Sequence, residues 1–336
     1  MVVTSHLENG DSEEYINRYL EIRKWREEHI HNAWDNPIVL NQFHDRLMKE
    51  TVQKAIEKIE SELGPAPAHF AFFIMGSAGR SEQAIWSDQD HGIIFAGEED
   101  SKPYFLKLGM EISNGLSVVG YECCDGKVMA SNPKWCNSMN AWEQQIGDWL
   151  KEASWESLRY FSTFFDSRVL LGDDCFLSKL KELAFQHLRE EPYLYIRLLE
   201  NISHIKKGIG ILGQLLPNSS GKETGYINMK EVTLFSYVNS LRLLSLKEEI
   251  LAPSTLTRFQ QLSNDYKDIK KYQLDFEKLL KFRLYYKKYS KSYADVHFLK
   301  ITSLSKSEKQ ELKQIMKNGY KLFAETKNII IRGCSS

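Results

Sequence analysis

The stretch "FFIMGSAGRSEQAIWSDQDHGIIF", residues 72–95, decides how this chain is read. Two apolar runs enclose Gly76-Ser77 and, ten residues further on, Asp88-Gln89-Asp90. "FAFFIMG" (70–76) is a short apolar run bounded by Pro and Gly, the pattern of a buried strand. "HGIIFAG" (91–97) is a second one. Side chains alternate faces along a strand, so Asp88 and Asp90 point to the same side, with Gln89 opposite. Two carboxylates sharing a face repel, and a hard divalent cation such as Mg2+ relieves that repulsion. Gly76 ends a buried strand where the chain must turn sharply, and its missing side chain lets backbone amides approach a phosphate. Ser77 adds a hydroxyl. The segment "GRSEQAIW" (79–86) suits a turn and a short helix that would aim its amides at the same anion. A phosphate cradle next to a metal-binding carboxylate pair describes a phosphoryl- or nucleotidyl-transfer site.

Other readings of the stretch fit less well. An acidic pair at a solvated strand end occurs often in a chain with 45 acidic residues. "DQDHGIIFAGEE" places acids at positions 1, 3 and 12 of a calcium loop, yet position 6 is Ile93 rather than Gly. No Gly-Lys-Ser/Thr follows the glycines, so there is no Walker A loop.

Around this centre the chain changes texture twice. "EEYINRYLEIRKWREEHIHNAW" spaces Tyr15, Tyr19, Ile22 and Trp25 for a helix face. Asn36-Pro37 interrupts it. "VLNQFHDRLMKETVQKAIEKIESELG" is a second helix closed by Gly64. Strand and helix signals then alternate to about residue 175, with "KPYFLKLGMEISNGLSVVG" and "SMNAWEQQIGDWLKEA" as helices. "YECCDGKVMA" reads as a strand or hairpin, and a further strand falls within "LRYFSTFFDSRVLLGD". Beyond 175 the strand signals fade into helix-period segments, a bundle of four to six helices. The expected fold class is α+β. It comprises a helical segment (1–65), a small mixed-sheet domain (66–175), and a helical bundle (176–330) that closes a cleft over it.

With 336 residues, 42% hydrophobic and 26% charged, the composition is that of a globular protein. A net charge of −1 argues against a general binder of long nucleic acid. Five scattered cysteines lack zinc spacing and read as reduced thiols. No apolar run is long enough for a membrane helix, and the N-terminal residues lack the pattern of a signal peptide. A cytoplasmic location is expected.

The segment "GSAGRSEQAIWSDQD" resembles the signature of the DNA polymerase β-type nucleotidyltransferase superfamily. More narrowly, it resembles a bacterial nucleotidyltransferase family related to the PII uridylyltransferase. The match runs through Gly76, Ser77, Gly79, Arg80, Glu82, Gln83 and Ser87 to Asp88, Gln89 and Asp90. "GYECCDGKVMASNPKW" is family-like at Gly120, Tyr121, Cys124, Gly126, Val128, Met129, Asn132, Pro133 and Trp135, and "FFDSR" (164–168) also matches. "INMKE", "LRLLSL" and Arg258 resemble the family's helical substrate-binding domain, so the likeness covers about residues 40 to 325.

The resemblance implies transfer of a nucleoside monophosphate from ATP or another nucleoside triphosphate to a protein or small-molecule hydroxyl. Two Mg2+ ions would be held by three carboxylates: Asp88, Asp90 and a third on a neighbouring strand. Asp166 is the choice for the third, with Glu122 and Asp125 as alternatives. Gly76 and Ser77 would grip phosphates. Arg80 either contacts triphosphate or braces the turn through Glu82, and Arg168 would meet a phosphate. His91 is either a proton shuttle or packing. Lys230, Arg242, Arg258 and Arg283 are either anion contacts or ordinary ion pairs. Trp86, Trp135 and Trp142 are stacking candidates better read as core, and Cys123-Cys124 reads as packing. Two other classes remain open. A nucleotide-binding regulatory protein would bind triphosphate without turnover, and a metal-dependent phosphohydrolase would release phosphate.

Overall fold

The computed structural model describes residues 4–219 and 223–334, with side chains from Glu14 onward. Contacts divide it into two units, Met1–Gln144 with Ser167–Leu177, and Gln145–Asp166 with Ser178–Ser336. The chain therefore passes from one to the other three times.

In the first unit, helices α1 (Thr4–His29) and α2 (Pro37–Leu63) precede strand β1 (Phe70–Ile74). Asn36 caps α2, its side chain accepting from the Ile38 amide, with Pro37 in the first turn, and Gly64 ends the helix at φ +83°. A single turn, α3 (Gly76–Gly79), follows, then β2 (Asp88–Gln89), β3 (His91–Phe95), α4 (Lys102–Val119), β4 (Glu122–Cys123) and β5 (Cys136–Ser138). Helix α5 (Met139–Glu152) runs from the first unit into the second, α6 (Trp155–Phe165) belongs to the second, β6 (Arg168–Gly172) returns to the first, and α7 (Asp174–Glu190) leads out of it again.

The main sheet has the order β5-β3-β1-β6. Strand β1 runs antiparallel to β3 and β6, and β3 runs parallel to β5, so the sheet is mixed. Residues Ala71–Met75 and His91–Phe95 are buried without a break, which is why both strands read as apolar runs rather than alternating ones. A separate two-stranded ladder pairs β2 with β4 in parallel, setting Asp88 opposite Glu122 and Gln89 opposite Cys123.

The N-terminal helices belong to the sheet's own core. Tyr19 and Ile22 of α1 and Leu47, Met48, Val52, Ala55 and Ile59 of α2 are buried with Phe72, Ile74, Ile93 and Phe95. They also reach the segment joining α3 to β2. The Arg26 guanidinium is buried, donates to the Ile85 carbonyl at 3.1 Å, and lies 4.6 Å from the Trp86 ring centroid. Asn41 accepts from the Gln83 amide at 2.9 Å. His44 Nε2 donates to the Ala84 carbonyl at 2.9 Å, while its Nδ1 accepts from the Tyr121 hydroxyl at 3.0 Å. Of the stretch 79–86, expected to form a turn and a short helix, Gly79 closes α3 and the residues from Arg80 onward are irregular, three of their backbone groups being bonded by side chains of α1 and α2.

The second unit is helical. α8 (Tyr193–Asn201), α9 (Phe235–Lys247), α10 (Thr255–Gln261), α11 (Lys267–Lys270), α12 (Gln273–Lys287) and α13 (Lys306–Cys334) surround a core that includes Tyr237, Leu241, Phe259, Phe276, Leu312 and Leu322. A short antiparallel ribbon, β7 (Tyr226–Asn228) with β8 (Phe298–Lys300), is added to the expected bundle. The run "WESLRYFSTFF" is helix α6, capped by Ser154, and the strand expected in that region starts only at Arg168. Among the described residues, no helix is long and apolar enough to cross a membrane.

Burial, with the nearby Arg26 charge adding to it, pushes the His44 pKa down to about 3. The unfolded chain takes up a proton near pH 6.5 that the native imidazole refuses. The contribution of His44 to stability is therefore constant above about pH 6.5 and falls as the pH drops from there toward 3. Urea unfolding at pH 7.5 and 5.0 should show a loss of about 2 kcal/mol attributable to His44. His44→Gln should have a flatter stability–pH profile over that window than the native chain.

Candidate active site

Strand β1 delivers the chain to a left-handed corner at Gly76, φ +57°. A Cβ placed there would lie 2.2 Å from Asp90 Oδ2, so glycine is required both by the backbone angle and by the carboxylate occupying the space. The Met75 amide donates to the Asp90 carbonyl at 2.8 Å, fastening the corner to the residue that follows β2. Within the turn, the Gly79 and Arg80 amides bond back to the Met75 and Gly76 carbonyls.

The two arginines nearest in sequence hold this corner together. Arg80 Nε donates to Glu82 Oε2 at 2.7 Å, with Glu82 buried. Arg168 from β6 donates to the Ala78 carbonyl through Nε at 3.3 Å and Nη2 at 3.1 Å, and Nη2 also meets Asp45 Oδ1 of α2 at 2.5 Å. Of the two roles weighed for Arg80, the structure displays bracing through Glu82. Arg168 fixes the backbone of the turn through the Ala78 carbonyl.

The alternation expected of the acidic pair holds. Asp88 and Asp90 are half-buried, while Gln89 between them is fully buried and donates to the carbonyls of Ser113 and Tyr121. His91 lies on β3 with no exposure. Its Nδ1 accepts from the Ala130 amide at 3.1 Å, which assigns the proton to Nε2, and Nε2 donates to Gln89 Oε1 at 3.0 Å. Burial pushes its pKa down to about 3. Both nitrogens are engaged in the core, so of the two roles weighed for His91 the structure shows packing.

A third donor lies beside the pair. Oxygens of Asp88 and Asp90 and the Sγ of Cys124 all lie within 4.8 Å of one another. The parallel register explains the placement. With Asp88 opposite Glu122 and Gln89 opposite Cys123, the next step sets Asp90 beside Cys124 on the face of the pair. The Cys124 thiol bonds to Asp90, and burial together with the two carboxylates pushes its pKa up to about 12. Sequence reasoning set Cys123-Cys124 aside as packing. The signal available was the likeness of "GYECCDGKVMA" to the family pattern at Cys124. The residues fit a divalent cation: two carboxylates and a sulfur converge, and Gly76 leaves room against Asp90.

Asp166 ends α6 in the helical unit, fully buried, and its carboxylate is gripped by two arginines of that unit. Arg242 is bidentate on it, Nε to Oδ1 at 3.0 Å and Nη2 to Oδ2, and Arg258 Nη1 reaches Oδ1 at 2.8 Å. Arg258 has no exposure and lies 5.0 Å from the Phe165 ring centroid. Three residues singled out separately, Asp166, Arg242 and Arg258, thus form one ion triad around a buried carboxylate. Lys181, buried beside it, donates to the Leu251 carbonyl, and burial pushes its pKa down to about 7. Of the stacking candidates, Trp135 and Trp142 are fully buried, and Trp86 lies against Arg26.

Removing the carboxylate would leave the buried Arg258 guanidinium and the largely buried Arg242 guanidinium without their shared counter-charge. Asp166→Ala should destabilise the helical unit by about 3–5 kcal/mol. Asp90→Asn, at a half-buried strand end, should change the melting temperature by only a few degrees. Thermal unfolding of the two variants side by side checks the contrast.

The sequence matches two family descriptions in tandem. Residues 27–156 match "Putative nucleotidyltransferase DUF294", and residues 192–327 match "Putative nucleotidyltransferase substrate binding domain". The first match takes in the Gly76 corner, the Asp88–Asp90 pair and Cys124. The second takes in Arg242 and Arg258. No curated protein matches the chain. The order of the two matches and the site contained in the first make this chain a member of the nucleotidyltransferase family that carries a C-terminal substrate-binding domain.

Proposed function

We propose that the chain transfers a nucleoside monophosphate from a nucleoside triphosphate to a hydroxyl of a protein or small molecule, in a Mg2+-dependent reaction in the cytoplasm. The observation that carries this reading is the convergence of the Asp88 and Asp90 carboxylates against the Gly76 corner within a nucleotidyltransferase family match. Asp88 and Asp90 would hold the cation. When bound, the cation neutralises the triphosphate and favours departure of pyrophosphate. Gly76 and Ser77 form the surface on which the β- and γ-phosphates rest. Arg80 with Glu82, and Arg168 with Asp45, keep that surface in shape and act as positioning residues. The bond from the acceptor oxygen to the α-phosphorus forms as the bond to the bridging oxygen of the leaving pyrophosphate breaks.

Asp166 is assigned a different task from the one its sequence context suggested. Its two arginine partners support a role as an anchor of the substrate-binding unit. One observation supports the rival reading of triphosphate binding without turnover: among the described residues, the donor group holds two carboxylates and a thiol rather than three carboxylates.

Calorimetric titration of ATP, GTP, CTP and UTP with Mg2+, followed by a pyrophosphate-release assay, separates the two. The transferase reading expects Mg2+-dependent binding of at least one nucleotide and pyrophosphate release, with turnover reduced on the order of a hundredfold or more in Asp88→Asn and Asp90→Asn. Binding with no pyrophosphate over a broad acceptor screen would favour the regulatory reading. Ser77→Ala should weaken triphosphate binding by about 1 kcal/mol.

A further inference from the structure

We propose that Cys124 is a protein ligand of this metal centre, and that its sulfur turns the site toward borderline divalent cations (Co2+, Zn2+) over Mg2+. The inference rests on the reading of Asp88 and Asp90 as metal ligands and adds a donor and a selectivity to it.

The geometry supplies the first argument. A cation at about 2.0–2.3 Å from each donor needs donor atoms within roughly 4.4 Å of one another. The oxygens of Asp88 and Asp90 and the sulfur of Cys124 lie within 4.8 Å, so the set closes on an ion with a small side-chain adjustment. The sulfur is also held in place. The thiol bonds to Asp90, the Val128 amide is directed at the sulfur, and the Cys124 carbonyl accepts from the Lys127 amide at 2.9 Å, closing a tight turn. An amide aimed at a ligand atom orients it and stabilises the charge it carries once deprotonated. Neighbouring Cys123 belongs to the other face of the ladder, where Gln89 contacts its sulfur at 3.8 Å.

Donor chemistry supplies the second argument. Binding exchanges the thiol proton for the metal: the S–H bond breaks, a metal–sulfur bond forms, and one proton is released to solvent. Mg2+ prefers an octahedron of oxygens and gives up its waters reluctantly, so a sulfur adds little to its binding. Co2+ and Zn2+ accept mixed oxygen and sulfur donors, whereas Mn2+ resembles Mg2+ in preferring oxygen.

Cobalt makes the test direct, because a Co2+–thiolate bond has a sulfur-to-metal charge-transfer band in the near ultraviolet. Co2+ should be titrated into the intact chain, alone and with a non-hydrolysable ATP analogue, and into Cys124→Ser, Cys123→Ser and Asp90→Asn. Circular dichroism checks that each variant is folded. The charge-transfer band should appear in the native chain and in Cys123→Ser and be absent from Cys124→Ser. Cys124→Ser should weaken Co2+ and Zn2+ binding at least tenfold, the smallest loss expected even for a residue that only supports a ligand. Mg2+ binding should change less than threefold. Co2+ binding through Asp88 and Asp90 without the band would overturn the inference and leave the metal-site reading standing. A band lost in Cys123→Ser but kept in Cys124→Ser would also overturn it. No metal binding under either condition would overturn both.

Discussion

The space at Gly76 is the constraint on which the site depends. A buried strand runs into a corner that only a residue without a side chain can occupy, because the carboxylate of Asp90 fills the position where a Cβ would sit. That contact joins two sequence-distant requirements into one, since the turn cannot form without the glycine and the carboxylate cannot sit at the corner without the turn. The Met75–Asp90 backbone bond makes the same connection through the main chain. What surrounds the corner supports it. Arg168, itself paired with Asp45, holds the Ala78 carbonyl, Arg80 and Glu82 pair beside it, and α1 and α2 bond the Gln83 amide and the Ala84 and Ile85 carbonyls of the irregular stretch before β2.

This arrangement explains the use of buried polar residues in the sheet unit. Arg26, His44, Gln89 and His91 are all fully or nearly fully buried, and each is bonded to backbone carbonyls, amides or another of these side chains. An irregular segment inside a protein has no ladder to pair with, so side chains must complete its hydrogen bonds. The regular alternative, a short helix between the corner and the acidic pair, would not have needed Arg26 and His44, which bond the Ile85 and Ala84 carbonyls of that stretch. The result is a site whose carboxylates stand on a framework fixed from both sides.

Much of this was legible in the sequence, for specific reasons. The two unbroken apolar runs, the Gly76 turn, the same-face Asp pair, the Asn36-Pro37 helix start and the Gly64 helix end are local signals, and each appears where local physics puts it. The α+β class and the helical character of the C-terminal half follow from periodicity. What stayed hidden is non-local. The aromatic run before Asp166 looks strand-like, but its period is helical once Ser154 caps it, and that moves Asp166 to the end of a helix in the other unit. The partners of Asp166 lie 76 and 92 residues away, beyond any spacing argument. Cys124 joins the acidic pair through a parallel ladder of only two residues per strand, too short for propensity to reveal. The N-terminal helices read as a separate segment because their apolar faces say nothing about what covers them.

The interleaving of the two units has a consequence for synthesis. The sheet unit is complete once Leu177 has been made, but the helical unit receives Gln145–Asp166 early and its remainder only from Ser178 onward. At ordinary translation speeds the remaining chain takes roughly ten to thirty seconds to appear. During that interval α6 carries Phe161, Phe164 and Phe165, all buried in the finished protein, together with a carboxylate whose arginine partners have not yet been made. The nascent chain is most vulnerable to misassociation in that interval, and a ribosome-bound chaperone would have most to protect there.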